Sequence, residues 1–193
     1  MTIPAGPLAS VTAAALLLVP AAGCSRPPVD TAAATRVAPE YDKATGRLTR
    51  IAYDADGNGT HDTWASMDGP RLITLEADEN ENGRIDRWEY YPAGAAGAKV
   101  PPERIDRSIA DDGRVTRREF FEGTDMTRVE EDTDGNGVFD KWESYRDGAL
   151  ATLSLDENGD GKPDRRLVYK PDGSLDRIEV DPDGSGQFRR LTS

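Results

Sequence analysis

Apolar residues return in fixed pairs along this chain. Leu48 and Ile51, Leu72 and Leu75, Met126 and Val129, Leu150 and Leu153, and Leu175 and Ile178 stand six and three residues ahead of an aspartate that opens a short polar segment. Ten residues past that aspartate comes a tryptophan in three copies, Trp64, Trp88 and Trp142. Thirteen past it comes Tyr91, Tyr145 or Tyr169, with Met67 in the first copy. The polar segments open at Asp54, Asp78, Asp132, Asp156 and Asp181, at spacings of 24, 54, 24 and 25 residues. Such a period marks a repeat array in which each unit leans on its neighbours. The long gap spans a little over two units, and Arg104–Gly113 within it reads as a degenerate sixth, its loop cut down to a tight Asp-Gly turn.

Between one unit's exit and the next unit's start stand the turn signals Asp68-Gly69-Pro70, Asp147-Gly148 and Asp172-Gly173. A unit is therefore strand, polar loop, strand, tight turn. Helices flanking the loops do not fit. Once a nine- to twelve-residue loop is taken from a 24-residue unit, about a dozen residues remain, and the tight turn halves them, too little for stable helices. Strands of five to seven residues fit, and segments such as Arg71-Leu72-Ile73-Thr74-Leu75 carry β-type residues. The expected fold is all-β, an antiparallel β-hairpin meander of about a dozen short strands over residues 41–193.

Composition narrows the picture. Hydrophobic residues make up 36% of the 193, mean hydropathy is −0.66, and 19 Gly and 13 Pro interrupt the apolar runs, so a thin sheet fits better than one thick core. A net charge of −12 makes nucleic acid and anionic lipid headgroups poor partners for the domain. The only histidine, His61, lies inside a polar loop, and carboxylate pairs recur in every unit where a catalytic dyad would occur once, so no enzyme is expected.

The one cysteine, Cys24, excludes internal disulfides and thiolate zinc sites. It follows the apolar run Val11–Val19 and the small residues Ala21-Ala22-Gly23, in a segment without a charge from Met1 to Gly23. This resembles a bacterial lipobox, although Ala21 stands where leucine is usual and no basic residue precedes the apolar run. The resemblance implies a signal peptide over 1–23, cleavage before Cys24, and attachment to a lipid bilayer through acylated Cys24. Residues 24–40, rich in Pro, Ala and Thr, read as lipidated cysteine and flexible tether. An ordinary secretory signal with an incidental cysteine is the alternative.

The polar segments carry the chemistry. A calcium loop needs oxygen ligands at positions 1, 3 and 5, a glycine turn at 6, a main-chain carbonyl at 7 and oxygen again at 9 and often 12. Two segments match the full EF-hand loop pattern: Asp78, Asn80, Asn82, Arg84 (carbonyl), Asp86 and Glu89, and Asp132, Asp134, Asn136, Val138 (carbonyl), Asp140 and Glu143. Asp54, Asp56, Asn58, Thr60 (carbonyl) and Asp62, and Asp156, Asn158, Asp160, Lys162 (carbonyl) and Asp164, stop at position 9. They resemble the loops between β-strands of integrin propellers. The fifth keeps Asp181, Asp183 and Ser185 but has Arg189 at position 9. By carboxylate count the Asp132 loop ranks first. On a strand, position 12 points away from positions 9 and 11, which leaves Glu89 and Glu143 open between ligand and surface residue.

Together these segments resemble calcium-binding repeat lipoproteins with EF-hand-like loops, over Arg47 to the C-terminus. The resemblance implies Ca²⁺ as cofactor and a calcium-stabilised surface module of the cell envelope, at the outer membrane or cell surface. The alternative is an adhesion or interaction protein that binds an envelope polysaccharide or protein, with calcium only structural.

Overall fold

The computed structural model describes residues 36–94 and 100–191. The signal-peptide segment, Cys24 and residues 25–35 of the expected tether lie outside them. Thirteen strands follow one another: β1 (Val37–Tyr41), β2 (Leu48–Tyr53), β3 (Thr63–Asp68), β4 (Arg71–Ala77), β5 (Arg87–Tyr90), β6 (Arg104–Arg107), β7 (Arg117–Glu122), β8 (Asp125–Glu131), β9 (Lys141–Arg146), β10 (Ala149–Leu155), β11 (Arg165–Tyr169), β12 (Leu175–Val180) and β13 (Arg189–Arg190). They form one open antiparallel sheet in strict sequence order, and no helix occurs among the described residues. The expected all-β hairpin meander is the fold. One boundary differs: β1 begins at Val37, inside the segment read as tether. Pro39 disguises this strand in the sequence, and an edge strand tolerates it because one row of its amides faces away from the ladder.

Each strand meets only its neighbours in sequence, so the domain is a single layer. Only four apolar residues among the described residues are buried: Ala52, Ala77, Ile105 and Val129. Two of them, Ile105 and Val129, lie in one row of the register. Directly paired residues share a face, and one continuous row runs Ile51, Ala65, Leu75, Glu89, Ile105, Glu119, Val129, Glu143, Leu153, Leu167 and Ile178. Glutamates interrupt the apolar row in β5, β7 and β9. Cations in the row alongside meet them. Arg117 reaches Glu119 at 2.8 Å and Glu131 at 3.5 Å, and Lys141 joins Glu131 and Glu143 at 3.0 Å each. On the opposite face Arg104 lies over Tyr90 and Arg128 over Phe120, each 3.8 Å from the ring centroid. With no second layer, these cross-strand ladders replace a core.

Apart from the longer connection between β5 and β6, the meander sorts its connections by length. Tight turns such as Asp147-Gly148, where both residues take the left-handed conformation (φ 52° and 75°), join the strands at one end. Loops of nine residues, eight before β13, join them at the other. Loops along this edge recur every second strand, about 10 Å apart from the usual strand spacing.

Candidate metal centre

The loop edge gathers the acids that the sequence singled out. Each loop is built by the same side-chain-to-backbone bonds. The position 1 carboxylate accepts the amide of the position 6 glycine: Gly59 to Asp54 at 2.9 Å, Gly83 to Asp78 at 2.8 Å, Gly137 to Asp132 at 2.8 Å, Gly161 to Asp156 at 2.7 Å and Gly186 to Asp181 at 2.6 Å. Position 3 accepts the amide of position 5, and position 5 that of position 7, as in Asn136 to Asp134 at 3.0 Å and Val138 to Asn136 at 2.7 Å. Position 9 reaches back to the amide of position 2, as in Ala55 to Asp62 at 2.9 Å and Glu157 to Asp164 at 2.7 Å. Neighbouring loops are stitched together as well. The Asp78 amide donates to the Asp62 carbonyl and the Asp156 amide to the Asp140 carbonyl, both at 2.8 Å.

These bonds fold the carboxylates inward. Asp54, Asp62, Asp78, Asp86, Asp132 and Asp181 are all at most 7% exposed, more enclosed than most apolar residues of the sheet. Two loops bring three carboxylates together. Ligand oxygens of Asp54, Asp56 and Asp62 lie within 4.8 Å of one another, and so do those of Asp132, Asp134 and Asp140. Either triad could hold a metal ion: three anionic oxygens at this separation repel one another, and a cation between them turns repulsion into ligation. In the Asp78 and Asp156 loops position 3 is an amide, Asn80 or Asn158, so the carboxylates are Asp78 with Asp86, and Asp156 with Asp160 and Asp164.

The field along this edge is uneven. Burial alone would raise the Asp54 carboxyl, yet the Gly59 and Gly57 amides and the Arg36 charge hold it below the ordinary aspartate range. Glu81, at position 4 of the next loop, points back across the gap and takes two bonds from the Asn58 amide, at 2.8 and 2.7 Å. Burial and then the Asp56 charge push its carboxyl upward. Glu81 also adopts a left-handed conformation (φ 57°) at a position that is glycine in four of the six loops, as at Gly135 (φ 74°). The sequence reading marked the glycine at position 6 and overlooked the one at position 4, whose signal is Gly57, Gly135, Gly159 and Gly184.

The position 12 glutamates do not join the triads. Glu89 is bonded to Arg87 and Tyr91, and Glu143 accepts Tyr145 at 2.6 Å and Lys141 at 3.0 Å. Burial favours the neutral Glu143, but Tyr145 and Lys141 more than offset it and lower its pKa; burial and then Glu143 push the Tyr145 phenol up to about 12. Side chains at position 7 turn to the following loop, where Arg84 meets the Asp112 carbonyl at 3.3 Å and Lys162 the Gly184 carbonyl at 3.5 Å. At position 9 of the fifth loop Arg189 instead pairs with Val180 as part of β13.

The sixth unit needs correction: its loop is not cut down. Ser108–Thr116 is a full nine-residue loop with hydroxyls at positions 1 and 9. Gly113 donates to Ser108 Oγ at 3.1 Å, Ile109 to Thr116 Oγ1 at 3.1 Å, and Arg114 to Asp112 at 2.9 Å. Loss of the two aspartates, and a longer connection between β5 and β6, hide it from a search for acidic clusters. No family model matches the chain, and a search of curated proteins finds no match.

Proposed function

We propose that the loop edge is a row of Ca²⁺ sites and that the protein is a calcium-stabilised β-repeat module of the cell envelope, tethered through Cys24. The observation that carries this reading is the pair of triads, Asp54/Asp56/Asp62 and Asp132/Asp134/Asp140, each with its ligand oxygens within 4.8 Å. All-oxygen ligand sets on curled loops suit a hard cation, and glycine-hinged loops favour the larger, less demanding Ca²⁺ over Mg²⁺. A single-layer sheet with four buried apolar residues has little burial to stabilise it, so ion binding would supply part of its folding free energy. Asp78, Asn80, Asn82 and Asp86, and Asp156, Asn158, Asp160 and Asp164, would form further sites, with the carbonyls of Thr60, Arg84, Val138 and Lys162 as main-chain ligands. The role is binding rather than catalysis.

Thermal melts with Ca²⁺, with Mg²⁺ and with chelator test this. Ca²⁺ should raise the melting temperature by several degrees and Mg²⁺ by much less; identical melts in all three would refute the reading. For the anchor, Cys24→Ser should release the protein from membranes, and unchanged partitioning would rule out lipidation.

A further inference from the structure

Taking the loops as cation sites, we propose that the row fills first at the Asp78 loop, which has two carboxylates, and not at any of the three loops that have three. The observation is one oxygen. In the four loops with an acid at position 9 that carboxylate accepts the position 2 amide, and in three of them a side chain also bonds it. Asp62 takes the Thr63 hydroxyl at 2.8 Å, Asp140 the Thr133 hydroxyl at 2.9 Å, and Asp164 the Asn158 amide at 2.7 Å. Asp86 has no such donor. Its Oδ2 accepts the Glu79 amide at 3.0 Å, while its Oδ1 is buried without a hydrogen-bond partner among the described residues, on a side chain only 7% exposed.

Asp86 and the position 3 residue Asn80 line one cleft. The Asp86 amide bonds the Ala77 carbonyl at 3.0 Å, as the Asp62 amide bonds the Tyr53 carbonyl at 3.1 Å, so the two loops close alike. In the Asp164 loop the corresponding Oδ1 meets the position 3 side chain. Here the position 3 residue is Asn80, whose Oδ1 accepts the position 5 amide at 3.0 Å, as Asn158 Oδ1 does at 2.9 Å, but whose Nδ2 does not reach Asp86. A buried anionic oxygen without a donor is costly, and a cation removes that cost outright. In the other three loops the cation must compete with a bond already made to the same carboxylate. The two carboxylates of Asp78 and Asp86 balance one divalent charge, with Asn80 and Asn82 as neutral oxygen donors. A cleft of about 290 Å³ beside Asn80 and Asp86 leaves room for water ligands. Arg107 also lines this cleft, but Glu119 engages it at 3.7 Å.

Terbium(III) serves as the probe, because three of the four sites have a tryptophan two residues past position 9, Trp64, Trp88 and Trp142, while the Asp156 loop has Arg166 there. The full chain is titrated with Tb³⁺ under tryptophan excitation, alongside Asp86→Asn, Asp62→Asn and Asp140→Asn. Asp86→Asn should lose the earliest phase, its midpoint rising more than tenfold, while the other two variants keep it. Trp88→Phe, which removes the sensitiser and no ligand, should cut that phase's luminescence by more than half. The inference is overturned if the earliest phase survives both Asp86→Asn and Trp88→Phe, whether or not another variant removes it, an outcome that leaves the cation row intact. Absence of Tb³⁺ binding in every protein would overturn the row and this inference with it.

Discussion

Two adjacent loops of the row, Ser108–Thr116 and Asp132–Asp140, have one bonding plan and opposite chemistry. In the first, Ser108 Oγ accepts the Gly113 amide at 3.1 Å; in the second, Asp132 accepts the Gly137 amide at 2.8 Å. Thr116 Oγ1 accepts the Ile109 amide where Asp140 accepts that of Thr133, both at 3.1 Å. Even the link to the following loop is kept, Asp132 amide to Thr116 carbonyl and Asp156 amide to Asp140 carbonyl, at 2.8 Å in each case. A hydroxyl therefore suffices to close the loop. Carboxylates at positions 1, 3 and 9 add repulsion that the turn does not need and that a bound cation would relieve.

The largest effect should come from making the second loop into the first. Asp132→Ser, Asp134→Ala and Asp140→Thr together should keep the strand signal in circular dichroism and abolish calcium-dependent stability at that loop. With Ca²⁺ at a hundredfold excess over Kd, the loss is about 2.7 kcal/mol. A triple variant that fails to fold even in chelator would show the acids to be structural. The reverse exchange, Ser108→Asp with Ala110→Asp and Thr116→Asp, should add one bound ion by calorimetry while lowering the melting temperature in chelator. An unchanged stoichiometry would mean that more than the acids separates the two loops.

Acid should act next. The folded Asp54 and Asp156 carboxyls sit below their ordinary value, since the glycine amides outweigh the opposing effect of burial. Their contribution is therefore complete above the ordinary aspartate pKa of about 3.9 and is lost as pH falls through the lower folded values. Melts in chelator should lose stability below about pH 4, and Asp54→Ser, which copies Ser108, should shrink that loss. Smallest should be Glu143→Gln, on the sheet rather than the edge. It weakens the contacts with Lys141 and Tyr145, a change of about 0.5–1 kcal/mol for partly exposed pairs. It should leave the calcium response unaltered and bring the Tyr145 phenol, followed by ultraviolet titration, down from about 12 toward its usual value.

Much of this was legible in the chain because the unit repeats. The spacing of Leu72 and Leu75 ahead of Asp78, and of Trp88 after it, was enough to assign two strands and a loop. Position 12 was not legible: Glu89 and Glu143 match a loop consensus, but strand pairing sets them opposite Leu75 and Ile105, and Val129 and Leu153, where neighbouring cations and tyrosines engage them. Ser108 and Thr116 escaped because hydroxyls carry none of the acidic signature and yet make the same bonds. The orphaned Asp86 oxygen is invisible in sequence, since it depends on which way the Asn80 amide turns.

Strict nearest-neighbour pairing makes the sheet editable in length. The segment Asp132–Leu155 is one 24-residue unit, and both its borders end on the same bond, a position 1 amide donating to a position 9 carbonyl. Excising it would present the Asp156 amide to the Thr116 carbonyl and Arg165 to Glu131, with alternation and loop edge preserved. Duplicating it would lengthen the row by one loop in the same way. Either change would alter the length of the sheet by two strands and leave every remaining strand its neighbours.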